Sequence, residues 1–316
     1  MKLSDVGEFG LIARLAEVFP APSEGVVGIG DDAAVIPDPR GGPSVLLTTD
    51  MLVEGVHFEI DAVSPRDLGY TVLAANVSDI AAMGGRPLHA AVSLGAPGST
   101  SLDVALGIAE GISEAAAECC VEVVGGDTVA APCLVISVAL TGEADRPIFR
   151  RGARPGDAVV VTGALGRREA VRRSGGFVRP VPRLAAAAAI ASELDVGAMI
   201  DISDGLAGDC GHLARAGGVR IAIEAKRLPI DDATRELCGK LGVDPVELAL
   251  TGGEDYELAF TVAGGDVGKL ASLSRRCGTS LTVVGSVSGG EGVAVVGADG
   301  VSRELAGGYT HFGPGS

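Results

Sequence analysis

Apolar and polar positions divide the chain into two kinds of segment. Short runs rich in β-branched residues, each bounded by Gly, Pro or Asp, predict strands. The clearest of them read SVLLTTD, CLVISVALTG, DAVVVTG, VRIAIEA and LTVVGSV. Helix-like, alanine-rich segments lie between these runs. The interleaving predicts a mixed α/β architecture, although neither periodicity nor length determines the order of the strands.

Two of the alanine-rich segments carry helix signals at their ends. SPRDLGYTVLAANVSDIAAMGG begins with Ser64 and SLDVALGIAEGISEAAAECC begins with Ser101. Serine is a favourable N-cap because its hydroxyl accepts a hydrogen bond from a free backbone N–H of the first turn. Gly84 and Gly85 follow the first segment and predict its end. We therefore expect one helix within each segment.

The chain has 316 residues, which favours two domains because single hydrophobic cores stop growing near this size. A charged stretch, GEADRPIFRRGARPGD, separates two apolar runs and contains Pro147 and Pro155. Such a composition is typical of a domain boundary. We predict domains over residues 1–145 and 146–316.

Charge and cysteine usage exclude several classes of protein. The net charge of -16 disfavours nucleic acids and anionic membranes as partners, so cations would have to mediate the binding of an anionic ligand. The start of the chain lacks the signal-peptide pattern, and the longest apolar stretches are too short or too interrupted to span a bilayer. The six cysteines show no C-x-x-C spacing and are expected to be reduced, mostly buried thiols. These features predict a cytoplasmic protein.

Aspartates recur after glycines or strand-like runs. The stretch GIGDDAAVI places two of them side by side after a glycine turn, and hydroxyl residues accompany the others. Oxygen ligands of this kind suit Mg²⁺, and Mg²⁺ in turn suggests a phosphate ligand. Each aspartate alone could equally be a helix N-cap or turn residue. The candidates are Asp31, Asp32, Asp50, Asp79, Asp127, Asp201 and Asp204, with the hydroxyls of Thr48, Thr49, Ser78 and Ser203.

Phosphate-binding features are present without a Walker-type loop. The stretch VVGGDTV could bring bare glycine N–H groups close to a phosphate, with Asp127 holding a metal beside it. Arg150 and Arg151 lie next to the predicted domain boundary, where a guanidinium could bind a phosphate through two hydrogen bonds. Solvated linker charge is the alternative for either arginine.

Seven stretches, in this order along the chain, resemble those of the thiamine-monophosphate kinases, in the superfamily of aminoimidazole ribonucleotide synthetase. They read GIGDDAAVI, TTDMLVEGVHF, ANVSDIAAMGGRP, VGGDTV, RRGARPGDAVVVTG, IDISDGLAGD and TGGEDYELAFTV. The resemblance implies a two-domain α/β fold like that of the synthetase. Its N-terminal α/β domain would form a homodimer through a mixed sheet and bind ATP and Mg²⁺, and its C-terminal α+β domain would complete the active site.

The resemblance also implies a reaction and a set of site residues. The reaction is Mg²⁺-dependent, in-line transfer of the γ-phosphoryl group of ATP to thiamine monophosphate, which yields thiamine diphosphate. The implied metal residues are Asp31, Asp32, Thr48, Thr49, Asp50, Asp79, Asp127, Asp201 and Asp204, of which Asp50, Asp127 and Asp204 are also implied as catalytic. Gly126, Asp127, Arg150 and Ser203 would contact ATP, and His57, Glu254 and Tyr309 would contact thiamine monophosphate.

The chain departs from the family pattern in one region. The segment RREAVRRSGGFVRPVPRL looks shorter than the usual connection, and Phe177 occupies a position where histidine is common. Without the resemblance, His57 would be interpreted as a packed strand histidine, Glu254 as a turn residue and Tyr309 as a packing residue. Two other functions remain open at this point: aminoimidazole ribonucleotide synthetase, and a nucleotide-binding regulator without turnover.

Overall fold

The computed structural model describes residues 1–297 and 299–305. Its helices are α1 (Gly7–Val18), α2 (Pro65–Ala82), α3 (Leu102–Cys119), α4 (Arg167–Arg173), α5 (Leu184–Glu193), α6 (Leu206–Gly217), α7 (Asp232–Leu241), α8 (Pro245–Thr251) and α9 (Leu270–Cys277). Its strands are β1 (Ala34–Ile36), β2 (Ser44–Val53), β3 (Arg86–Ala96), β4 (Glu122–Ala130), β5 (Val135–Ala144), β6 (Ala158–Thr162), β7 (Val196–Asp201), β8 (Arg220–Glu224), β9 (Leu258–Val262), β10 (Leu281–Ser288), β11 (Gly292–Val296) and β12 (Ser302–Leu305).

Within the described residues, the strands form two mixed sheets. The first sheet has the order β1-β2-β5-β3-β4, and β3 pairs with β4 in parallel while the other pairs are antiparallel. The second sheet has the order β12-β11-β8-β10-β6-β9-β7, with β8 and β11 parallel. All five predicted strands lie in these sheets, and the mixed α/β architecture is confirmed.

The two predicted helices are α2 and α3, and both begin as the sequence indicates. The Ser64 hydroxyl accepts a hydrogen bond from the backbone N–H of Asp67, and the Ser101 hydroxyl accepts one from Val104. Helix α2 ends at Ala82, and Gly84, two residues later, takes the left-handed conformation with φ +68° that a side chain would disfavour. The capping signals therefore placed these helices correctly.

Helix α2 is the element that both sheets share. Fourteen of its eighteen residues are buried, and it packs along α3 and against β2 of the first sheet. Near its C-terminal end, Ala81 and Ala82 belong to an apolar cluster with Ile190, Met199 and Phe260, which lie in α5, β7 and β9. A helix between two sheets must be apolar on nearly all sides, which explains its high alanine content.

The segment 145–157 joins the two sheets and contains no helix or strand. Strands β1–β5 come before it and β6–β12 after it. The division into domains at residues 145 and 146 stays a prediction.

All six cysteines are free, and Cys119, Cys210 and Cys238 are buried. Across the described residues, no helix combines the length and apolar character needed to cross a membrane.

Glycines allow α2 and α3 to approach each other closely. A Cβ atom added at Gly111 would lie 1.8 Å from the carbonyl oxygen of Arg66, and one added at Gly69 would lie 2.0 Å from that of Ile108. Neither backbone oxygen can move without displacing its helix. The two glycines therefore set the distance between the helices.

We expect Gly111→Ala to lower the free energy of unfolding by about 3 kcal/mol, because the new methyl group forces the two helices apart. Denaturant unfolding followed by circular dichroism measures this loss. The matched control is Gly239→Ala in α7, where the glycine is exposed and nothing lies within 4 Å of an added Cβ. That change should leave stability unchanged or raise it by up to about 1 kcal/mol. Equal unfolding midpoints for the Gly111 variant and the wild type would contradict the close helix contact.

Candidate active site

Two buried aspartates and a half-buried one converge where the two sheets meet. One carboxylate oxygen each from Asp32, Asp79 and Asp201 lies within 4.8 Å of the others. Asp32 lies in the turn before β1, Asp79 lies in the last turns of α2, and Asp201 ends β7. We call these three residues the acidic cluster. The sequence predicted all three as metal ligands, and the structure brings them together.

Hydrogen bonds from two hydroxyls fix the orientation of the acidic cluster. Thr48 Oγ1 donates to Asp79 Oδ2 at 2.5 Å, and Ser78 Oγ donates to Asp201 Oδ2 at 2.7 Å. The second bond joins α2 to the last residue of β7. Asp50 lies on the same face of β2 as Thr48, and its backbone N–H donates to Asn76 Oδ1 at 3.1 Å. Through Asn76 and Ser78, α2 therefore forms hydrogen bonds to strands of both sheets.

Arg150 partly neutralises the acidic cluster. Its Nη2 atom lies 2.6 Å from Asp32 Oδ1, and its backbone N–H donates to the Asp31 carboxylate at 3.1 Å. The second Asp32 oxygen, Oδ2, is buried and has no hydrogen-bond partner among the residues that the structure describes. A buried carboxylate oxygen without a donor is costly, so this atom is suited to a cation.

Burial and mutual repulsion raise the pKa values of these aspartates. Burial, together with the charge of Asp32, raises the pKa of Asp201 to about 8 and that of Asp31 to about 6. Burial and the charges of Asp50 and Asp201 hold the pKa of Asp79 well above its usual range. At neutral pH the carboxylates therefore cannot all be ionised unless cations neutralise them.

The other predicted metal residues lie in different places. Thr49 is exposed on the face of β2 opposite Thr48 and Asp50. Asp127 is also exposed, in edge strand β4, and the pairing register aligns it with Ser93 and not with the row that contains Asp50. The structure does not bring the side chains of Thr49 and Asp127 into the acidic cluster.

Asp204 belongs to a neighbouring group with Asp209 and His212, whose ligand atoms also lie within 4.8 Å of one another. Asp209 Oδ2 accepts a hydrogen bond from the Asp204 backbone N–H at 3.2 Å. Burial lowers the pKa of His212 to about 4, so its imidazole is neutral at pH 7. Sequence reasoning missed Asp209 and His212, although their spacing of three residues in α6 places them on one helix face.

Two of the residues predicted to contact ATP have clear backbone roles. Gly126 lies in β4, where a Cβ atom would lie 1.7 Å from the carbonyl oxygen of Val92. The glycine-rich stretch is thus an edge strand and not a free loop. The Ser203 carbonyl accepts a hydrogen bond from the backbone N–H of Glu254 at 2.7 Å, so it joins the loop after β7 to the segment before β9.

A cavity of about 380 Å³ lies beside this region, and two of the predicted substrate residues, His57 and Glu254, line it. His57 Nδ1 accepts a hydrogen bond from the Val53 backbone N–H at 3.1 Å, which fixes the ring. Tyr309, the third predicted substrate residue, lies outside the described residues. Arg168, Arg172 and the segment 175–178 also line the cavity, and sequence reasoning gave them no role in the site.

Comparisons with known proteins agree with this geometry. Residues 30–144 match the family described as AIR synthase related protein, N-terminal domain, and residues 154–298 match its C-terminal domain. The chain is 38% identical to thiamine-monophosphate kinase from Rhodopirellula baltica over 275 residues, which cover 84% of this chain and 85% of that protein. It is 35% identical to the enzyme of the same name from Aquifex aeolicus, covering 99% of this chain and 100% of that protein.

Solved structures similar to this one also include thiamine-monophosphate kinases. A structure described as AaThiL complexed with AMPPCP and TMP has a TM-score of 0.85 and 34% identity, and covers 98% of this chain and 99% of that chain. Thiamine monophosphate kinase from Aquifex aeolicus has a TM-score of 0.81, with 96% of this chain and 100% of that chain covered. A HypE-HypF complex, at 22% identity and a TM-score of 0.76, has the same fold, and its alignment covers 93% of this chain and 99% of that chain. The chain therefore belongs to the AIR synthase related family and, within it, to the thiamine-monophosphate kinases.

Proposed function

We propose that this protein transfers the γ-phosphoryl group of ATP to thiamine monophosphate and releases thiamine diphosphate and ADP. The observation that carries the proposal is the acidic cluster beside a cavity of ligand size, about 380 Å³. The similar structure complexed with AMPPCP and TMP supports a site for two substrates. The cytoplasm, where ATP is available, is the proposed location.

The acidic cluster and the cavity are joined by two stretches of chain. Along β2, Leu52 lines the cavity and Asp50 faces the cluster, two residues or roughly 7 Å apart. On the other side, Asp201 is followed by Ser203, whose carbonyl binds the N–H of Glu254 at the cavity. A substrate with a phosphate at one end and rings at the other fits this arrangement. Its phosphate would lie toward the cluster and its rings in the cavity.

We propose Mg²⁺ as the cation that the acidic cluster binds. Asp32, Asp79 and Asp201 would hold it, with Asp50 close by. Within the described part of the chain, no group donates a hydrogen bond to Asp32 Oδ2, which leaves this oxygen available as a ligand. Carboxylate oxygens are ligands that Mg²⁺ prefers. When bound, Mg²⁺ neutralises charge that spreads over the transferring phosphoryl group. Asp31, Asp204 and Asp127 stay predicted ligands, and so does Thr49.

The protein's own residues position and neutralise the two phosphates. The acceptor phosphate is the nucleophile, and its second pKa near 6 leaves it largely dianionic at neutral pH, so no side chain has to remove a proton. Arg150 lies at the edge of the acidic cluster, with its side chain 22% exposed, and can donate to a nucleotide phosphate. Holding both phosphates in line supplies most of the rate enhancement in reactions of this kind. Gly126 and Ser203 stay predicted contacts for ATP.

We also propose that the protein forms a homodimer through the first sheet. One face of this sheet exposes an apolar row that includes Val45, Leu47 and Met51 on β2, and Val129 on β4 is exposed as well. The side chains of Leu47 and Met51 are 42% and 54% exposed. Several large apolar side chains exposed on one face of a sheet are typical of an interface between subunits.

Phosphorus NMR tests the reaction directly. We expect purified protein with ATP, MgCl₂ and thiamine monophosphate to produce stoichiometric ADP and thiamine diphosphate, and EDTA to abolish both. Binding of ATP without either product would favour a nucleotide-binding regulator. Turnover with formylglycinamidine ribonucleotide instead would identify an aminoimidazole ribonucleotide synthetase.

We expect Asp79→Asn to lower kcat by about 100-fold or more while the protein stays folded, because the variant keeps the Thr48 hydrogen bond and loses a cation ligand. The same change should raise the thermal midpoint measured in EDTA, since it removes a carboxyl group whose ionised form is disfavoured by burial and by the charges of Asp50 and Asp201. It should also reduce the stabilisation by MgCl₂. Kinetics and thermal unfolding with and without MgCl₂ measure both effects. Asp145→Asn, at an exposed position, is the control and should change neither. Wild-type kcat for the Asp79 variant at saturating Mg²⁺ would disprove the assignment.

We expect Leu47→Glu to convert the dimer into a monomer, because it buries a charge in the proposed interface. Sedimentation velocity at micromolar concentration measures the change. Leu102→Glu places the same charge at another exposed leucine, in the first turn of α3, and should leave the dimer intact. A wild-type protein that sediments as a monomer would rule out this interface.

A further inference from the structure

One wall of the cavity comes from the short segment that follows α4. Gly175, Gly176, Phe177 and Val178 line the cavity there, across from residues of β2 and α2. In this segment the resemblance predicts a departure from the family pattern, with a shorter connection and Phe177 in place of histidine. We therefore expect the cavity lining of this chain to be distinctive here.

A helix cap fixes the direction in which this segment leaves α4. Gly175 has φ +80°, its N–H donates to the Arg172 carbonyl at 3.0 Å, and the Gly176 N–H donates to the Val171 carbonyl at 2.9 Å. These two bonds around a left-handed glycine form a Schellman motif. Phe177 follows directly, so its backbone is anchored to the end of α4 and not carried by a free loop.

Arg168 connects Phe177 with Glu254, another residue that lines the cavity. Its side chain is 9% exposed, and its guanidinium lies 5.5 Å from the ring centroids of both Phe177 and Tyr256. It donates to the Val178 carbonyl and, at 3.2 Å, to Glu254 Oε2. One planar cation thus contacts both Phe177 and the predicted substrate residue Glu254.

Arg168 also retains an unused hydrogen-bond donor. Its Nε atom is buried and has no partner among the described residues. Burying an unpaired donor costs free energy, so the other contacts of the guanidinium must outweigh that cost. Since the guanidinium lies over two rings and contacts two chain segments, we interpret its role as the placement of Phe177 and Glu254.

The lining of the cavity suits a flat aromatic ring. Leu52, Val56, Phe58 and Leu68 provide apolar surface in the same cavity as Phe177, and Glu254 and His57 line it with polar groups. Aromatic side chains bind planar heterocycles by stacking, and each such stack is worth about 1–3 kcal/mol for a nucleobase, or roughly 5- to 150-fold in affinity. Aromatic residues make up only 3% of the chain, and the Phe177 ring lines this cavity, where it can stack on a ligand.

We propose that Phe177 stacks on the aminopyrimidine ring of the substrate, and that Arg168 is a positioning residue that holds Phe177 and Glu254 in place. The proposal rests on the proposed function, since it assigns the pyrimidine half of thiamine monophosphate to this cavity. Phe177 is then a specificity-determining residue of this chain.

Phe177→Leu removes the ring and keeps an apolar side chain, and Phe19→Leu is the matched control because Phe19 is 56% exposed and does not line the cavity. We expect Phe177→Leu to raise KM for thiamine monophosphate by about tenfold or more and to leave KM for ATP unchanged. In proton NMR, the pyrimidine resonances of bound thiamine monophosphate should shift upfield in the wild type and the Phe19 variant. The Phe177 variant should lose most of this ring-current shift.

A double-mutant cycle tests the positioning role of Arg168. Arg168→Lys keeps the charge but cannot make the planar contacts, so it should raise KM for thiamine monophosphate and reduce the upfield shift. If Arg168 acts through Phe177, the double variant should have nearly the KM of Phe177→Leu alone. Fully additive effects in folded variants would overturn the positioning role, because a purely structural contribution is independent of the ring.

The outcomes separate this proposal from the proposed function. A wild-type protein that phosphorylates thiamine monophosphate, with a Phe177 variant of unchanged KM and unchanged ring-current shift, overturns the stacking proposal alone. A wild-type protein that neither binds nor phosphorylates thiamine monophosphate overturns both. Loss of the shift with raised KM for thiamine monophosphate supports both.

Discussion

The burial of α2 between two sheets is the constraint on which the rest of the structure depends. A helix with fourteen buried residues out of eighteen can carry polar side chains inward only if each finds a partner. Asn76, Ser78 and Asp79 satisfy this requirement by bonding to Asp50, Asp201 and Thr48. These same hydrogen bonds place groups from both sheets around one point. The packing of α2 and the assembly of the acidic cluster therefore depend on the same hydrogen bonds.

The acidic cluster stores unfavourable energy that a simple core would not tolerate. Two unit charges about 4 Å apart repel by roughly 4 kcal/mol at an effective dielectric near 20. Burial and the charge of Asp32 together raise the pKa of Asp201 to about 8, and the ion pair of Arg150 with Asp32 offsets part of the repulsion. A structure that keeps such a cluster is less stable than it could be, and it presents oxygen ligands that suit a cation. This exchange of stability for function is common at active sites.

The sequence predicted the local structure and the members of the acidic cluster, because both depend on short patterns. Serine caps, glycine ends and β-branched runs are local signals, and α2, α3 and the predicted strands agree with them. The sequence did not predict on which faces of the sheet the side chains of Thr49 and Asp127 lie. Those faces depend on strand pairing and register, which no local pattern contains. Arg168 meets Glu254 and Tyr256 through contacts between distant segments, so its role became visible only in the folded chain.

The segment after α4 is held by contacts of a different kind from those of the acidic cluster. The acidic cluster lies on buried elements, where a shift of one residue would break the hydrogen bonds of α2. The cavity wall after α4 is attached through its helix cap, through Arg168, and through Arg179, which pairs with Asp67 of α2 at 2.6 Å. In the proposed function, phosphoryl transfer depends on the cluster and recognition of the rings depends on this wall. Because β2 carries both Asp50 and Leu52, and α2 contacts both the cluster and the wall, the two parts of the proposed site are held in one arrangement.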